Sequence, residues 1–95
     1  IDCYARNHNL FRNRLFLHKA IEHYEQAQVI AREIGDRRSE GYQQMNLGYG
    51  YNLLNQTGKS IEYYQQALAI GKEIKHPTLI NFCQEKLGIV PNKTA

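Results

Sequence analysis

Gly58, Lys59 and Ser60 stand in the order that closes a phosphate-binding loop, in which backbone N–H groups cradle phosphates and the lysine neutralises them. That chemistry also needs a glycine five residues ahead of the first of the three, and the position holds Leu53. The loop must follow a strand, whereas the apolar spacing around Leu53 is helical. The triplet is therefore expected to be a helix–helix turn, and no nucleotide partner is expected. The histidines His8, His18, His23 and His76 show neither metal-ligand spacing nor H-E-x-x-H. Glu22 beside His23 recurs as Glu62 beside Tyr63, which marks a repeated surface and not an acid–base pair. Cys3 and Cys83 lie far apart, with no evident base and in no metal spacing, and are expected to stay reduced in a cytoplasmic compartment. No enzymatic activity, metal or cofactor is expected.

The 95 residues suffice for one small domain, and 42% hydrophobic with 22% charged residues is the balance of a globular chain. The first residue is Ile1, which points to a fragment of something longer; no signal peptide and no apolar run of membrane-spanning length is seen. The net charge of +3 is a weak field without a basic, aromatic-interleaved face, so nucleic acid is not an expected partner. The sequons at Asn55 and Asn92 lack a secretory context.

Self-similarity organises the chain. Residues 19–34, KAIEHYEQAQVIAREI, align with residues 59–74, KSIEYYQQALAIGKEI, with nine of sixteen positions identical at an offset of forty. The same offset sets Leu47-Gly48 over Leu87-Gly88 and Tyr42 over Phe82. In the second copy Ile61, Tyr64, Ala67, Leu68, Gly71 and Ile74 share a helical stripe, and Leu47, Gly48, Tyr51 and Leu54 form one on the preceding segment. Asn55-Gln56-Thr57-Gly58 reads as a polar turn in which Gly58 is free to take a positive φ. Gly35 can end one helix and Asp36 cap the next; forty residues later Pro77 suits a helix start instead. The spacing predicts helices near 2–14, 18–34, 37–54, 59–74 and 77–89, an all-α chain of antiparallel helix hairpins.

On Asn46-Leu47-Gly48, Tyr51, Leu54, Gly58, Ser60, Tyr64 and Ala67, with the Gly-Asp-Arg-Arg joint at 35–38, the chain resembles the tetratricopeptide repeat family in its variant of about forty residues. The resemblance implies a right-handed helical-repeat domain over residues 1–90. It divides into a degenerate repeat at 1–35, a well-matched one at 36–75 and a partial or capping one at 76–90, followed by a flexible tail at 91–95. The first helix departs from the pattern, having Asn7 and His8 where the good copy has Leu47 and Gly48. The resemblance further implies a concave peptide groove lined by the first helix of each pair. That helix offers Tyr42, Met45 and Asn46, then Tyr49, Asn52 and Leu53, joined by Phe82 and Lys86 from the next unit. Asn46 occupies the place from which similar proteins hydrogen-bond a ligand's main chain. Asn9, Asn46 and Lys86 match a family subtype that grips a terminal carboxylate, but Ala5 and Phe82 fall where it needs cations, so a partly apolar peptide or helix is the expected partner.

One stretch leaves two readings open. Where the good copy has Asn55-Gln56-Thr57-Gly58, the earlier unit has Leu15-Phe16-Leu17-His18, with no Gly or Pro. Leu10, Leu17, Tyr24 and Ala31 recur every seven residues, so either a short turn lies at 13–17 or one helix runs through. A continuous helix would leave Leu10, Phe11, Leu15, Phe16 and Leu17 for self-association, as in a homodimer. The function expected is a protein–protein interaction module, with structural self-assembly as the alternative and a nucleic-acid-binding repeat behind both.

Overall fold

The computed structural model describes the backbone of residues 2–88 and the side chains of residues 14–88. Among the described residues there are four α-helices and no strand: α1 (Asp2–Ile34), α2 (Arg37–Leu53), α3 (Thr57–Glu73) and α4 (Pro77–Lys86). Of the five expected helices the first two are therefore one. α4 also stops short of residue 89, and the tail at 91–95 lies outside the described residues.

The joints explain where helices end. Gly35, Asn55 and Lys75, spaced twenty residues apart, take φ of 76°, 62° and 56°. Each sits in a left-handed stop at which the next N–H turns back to a carbonyl five residues earlier: Asp36 to Ala31 at 2.8 Å, Gln56 to Tyr51 at 2.9 Å and His76 to Gly71 at 2.9 Å. The residue after two of the stops caps the following helix. Asp36 accepts from the Ser39 N–H at 3.1 Å, and His76 Nδ1 accepts from the Leu79 N–H at 3.3 Å. Asn55, not Gly58, carries the left-handed conformation of the middle turn; Gly58 lies in the first turn of α3. The fourth member of the series would be Leu15. An L-residue without local side-chain bonding costs about 1–2 kcal/mol in that conformation, and here no proline follows to stop the helix, so α1 runs through.

α2 is the hub, packed against α1, α3 and α4, with α3 and α4 also in contact. Gly48 makes the α2–α3 approach possible: a Cβ there would lie 2.9 Å from the Tyr64 ring, while Ser60 Oγ donates to the Gly48 carbonyl at 2.7 Å inside the same contact. One core comprises Tyr64, Ala67, Leu68, Leu79 and Cys83, with Met45 and Phe82 packed on it. The other comprises Ile21, Leu47, Tyr51 and Leu54, with Leu17, Tyr24 and Tyr63 around it. Tyr24, the counterpart of Tyr64, is only half-buried, and Ile61, expected on the buried stripe, is 41% exposed while Ile70 takes its place inside. α1 runs antiparallel to α2, with Arg32 bound to Glu40 at one end and Ile21 and Leu17 beside Gly50 at the other. At about 1.5 Å per residue, the fifteen residues before Leu17 carry α1 roughly 22 Å past that contact.

Candidate functional site

The face where α2 meets α4 gathers the residues singled out as a groove. Along α2, positions 42, 45, 46, 49, 52 and 53 repeat at three- and four-residue spacing, which aligns them on one side of the helix. Tyr49 is 47% exposed, Asn52 and Leu53 are exposed, and Asn46 is half-buried.

The start of α4 is tied to α2 through Tyr42. Its hydroxyl lies 3.0 Å from His76 Nε2, the rings meet edge-on at 5.4 Å, and the Arg38 guanidinium lies 5.9 Å from the Tyr42 ring centroid. Because His76 Nδ1 accepts the Leu79 N–H, the ring is in its Nε2–H tautomer and donates to Tyr42. Met45 and Phe82 turn inward onto the Tyr64 core, so of the eight expected groove residues these two support the floor instead of offering free surface. At the far end the Lys86 ammonium sits 5.8 Å from the Tyr49 ring centroid and 5.3 Å from that of Phe82. Lysine held over two aromatic faces stays solvated at its tip, which places a positive charge at the rim of the face.

Beyond Lys86 the face deepens into a cleft of about 350 Å³ between α2, α3 and α4. Asn52 and Lys86 line it, together with Ser60, Ile61, Tyr64 and Leu87. Of these, Ile61, placed on the core stripe by its spacing, is 41% exposed, whereas Ser60 and Tyr64 line the cleft while staying buried. Beside the cleft α4 ends at Lys86, and Gly88 turns left-handed at φ 74°. Burial pushes the Tyr64 phenol up to about 12, and its hydroxyl has no hydrogen-bond partner among the described residues.

The other candidates for chemistry have structural partners. Gly58, Lys59 and Ser60 open α3, with Ser60 bound to Gly48 and the Lys59 ammonium 5.1 Å from the Tyr51 ring centroid. Burial pushes the Cys83 thiol up to about 11, which keeps it in the neutral form that packs and does not attack. His18 and His23 are exposed. Among the described residues no three of His, Cys, Asp and Glu gather as metal ligands, and no helix is long and apolar enough to cross a membrane.

Of the self-association residues, Leu15 and Phe16 are exposed and Leu17 is half-buried beside Gly50. The side chains of Leu10 and Phe11, like Ala5 and Asn9, lie outside the described ones. No protein-family model, curated protein or solved structure matches the chain significantly.

Proposed function

We propose that the chain is a tetratricopeptide-like helical repeat that works as a non-enzymatic protein-interaction module, holding an extended peptide along α2 beside α4. The observation that carries this reading is the line of half-buried Asn46 and exposed Tyr49 and Leu53, which runs past the Lys86 ammonium towards the cleft at Ile61. An amide reaches a peptide's main chain, an aromatic face and two aliphatic side chains accept an apolar residue, and the ammonium favours an acidic group on the ligand. The packing of α2 against all three other helices adds to it, because a surface built on the central helix is held rigid.

The test uses peptides selected from a random library against the folded protein, titrated by calorimetry. Asn46→Ala should weaken binding by roughly 0.5–1.5 kcal/mol, the value of one net hydrogen bond, and Tyr49→Ala should weaken it as well. Parent-like affinity in both variants removes the groove from consideration.

A further inference from the structure

The internal repeat supplies its own control for an uncovered surface. Residues 18–34 of α1 correspond to α3, yet Ile30 is 56% exposed where its counterpart Ile70 is 4% exposed. Tyr24 and Ala27 are half-buried where Tyr64 and Ala67 are buried, and Ile34 is exposed where Ile74 is half-buried. The cause is a missing neighbour. α3 is covered by α2 on one side and α4 on the other, whereas α1 packs on α2 alone. Gly41 of α2 abuts Ile70 and Gly48 abuts Tyr64; forty residues earlier these positions fall at the start of the chain and at His8. The uncovered strip is an apolar cleft of about 230 Å³ floored by Ala27, Ile30 and Ile34, with Gln43 of α2 at its edge.

The helix that belongs on this strip is present, as residues 2–14, but it continues straight into α1 and so points away from it. We infer that a second copy of this chain covers the strip: two α1 helices pair antiparallel, and residues 2–14 of each lie along residues 18–30 of the other, over Tyr24, Ala27 and Ile30. Such pairing sets residue i beside a residue near 32 − i of the partner copy, the same juxtaposition a hairpin turning at residues 15–17 would make within one chain. Both copies give and receive the same element, so the contact closes on a two-fold axis. Leu15 and Phe16 fall at that axis, which accounts for their exposure, 61% for Phe16, in the single chain.

One further observation supports the contact of arm and strip, and a second favours the exchange over a folded-back hairpin. Residues 2–14 carry three arginines against one aspartate, while residues 18–30 carry Glu22 and Glu25 against Lys19, so the arm and the strip it covers have opposite net charge. His8 stands where the good copy has Gly48, at which even a Cβ would press on the tyrosine ring. A tight turn would force that approach; two separate helices can seat farther apart.

Light scattering after size exclusion tests the inference on the whole chain. The parent should run at twice its 11.1 kDa mass, and Ile30→Glu should halve that mass. Leu15→Gly with Phe16→Asp copies the Gly35-Asp36 joint into the one place the twenty-residue series lacks it. This variant should be a monomer with unchanged helix content by circular dichroism. A parent that stays at 11.1 kDa across the micromolar range overturns the inference. So does a dimer that survives Ile30→Glu. Should Ile30→Glu lose its helix signal, the joint-copying variant decides alone: folded and monomeric it supports the exchange, folded and dimeric it overturns it.

Discussion

Three glycine-to-alanine substitutions should differ in sign for reasons visible in the packing, and Gly48→Ala is the most informative. The added Cβ would meet Cδ1 and Cε1 of Tyr64 at 2.9 Å and Cγ at 3.0 Å, well inside the roughly 3.5–4.0 Å at which carbon atoms attract. The ring is 2% exposed and lies against Phe82 at 6.2 Å, so it has no room to swing aside. Moving α2 from α3 would stretch the 2.7 Å Ser60–Gly48 hydrogen bond, which is worth about 0.5–1.5 kcal/mol. Overpacking costs typically ~1–3 kcal/mol, and the gain in helix propensity on replacing glycine returns about 1 kcal/mol. With part of the Ser60–Gly48 bond also lost, the net expectation is a loss of about 1–2 kcal/mol. Gly58→Ala serves as the control, because nothing lies within 4 Å of its Cβ and the residue is helical; it should gain up to ~1 kcal/mol. Gly35→Ala meets no atoms either, but φ is 76°, so it should lose about 1–2 kcal/mol from backbone strain alone. Urea unfolding followed by circular dichroism, at one fixed protein concentration, measures all three. Gly48→Ala at or above parental stability would refute the α2–α3 contact as described.

Two predictions concern pH. The Tyr64 phenol is held up to about 12 against an ordinary 10, so the neutral form is favoured by folding; its stabilisation is complete below pH 10 and lost as pH rises towards 12. Tyr64→Phe should remove that alkaline loss and, by deleting a buried hydroxyl without a partner, raise stability by about 1 kcal/mol; a lower unfolding midpoint would contradict the assignment. The Asp36 carboxyl is lowered from 3.8 by the Ser39 N–H and hydroxyl, and Glu73 is lowered from 4.5 by its Arg37 partner. Depressed carboxyls stabilise above their unfolded values, so acid unfolding should set in as pH falls through about 4, and Asp36→Asn, which keeps a capping oxygen, should flatten that slope. An acid transition identical in Asp36→Asn would remove the cap from the explanation.

Most of the helix pattern was legible because period and punctuation agreed: the stripe at Leu47, Gly48, Tyr51 and Leu54 is buried as its spacing requires, and Gly35 and Asp36 form the joint their chemistry predicts. What escaped were conformations that several residue types can adopt. Asn55 and Lys75 turn left-handed without being glycine, and His76 caps a helix through a ring nitrogen. Leu15-Phe16-Leu17-His18 was readable as two alternatives, because absence of a breaker permits a continuous helix without demanding one. At the candidate site the spacing of Asn46, Tyr49 and Leu53 put them on one side of α2, where Tyr49 and Leu53 are exposed and Asn46 half-buried. The inward turn of Met45 and Phe82, and the cleft at Ile61, depend on where α4 lies and stops, which no local pattern encodes.

The central claim, a peptide held along α2 beside α4, is tested most directly by recording backbone amide shifts of the folded protein as a library-selected peptide is added. The account predicts that the largest shifts fall on Asn46, Tyr49, Asn52 and Leu53, with Lys86 and Leu87 following at the cleft. Shifts confined to the exposed side of α3, at Glu62, Gln66 and Ala69, with α2 unmoved, would contradict it.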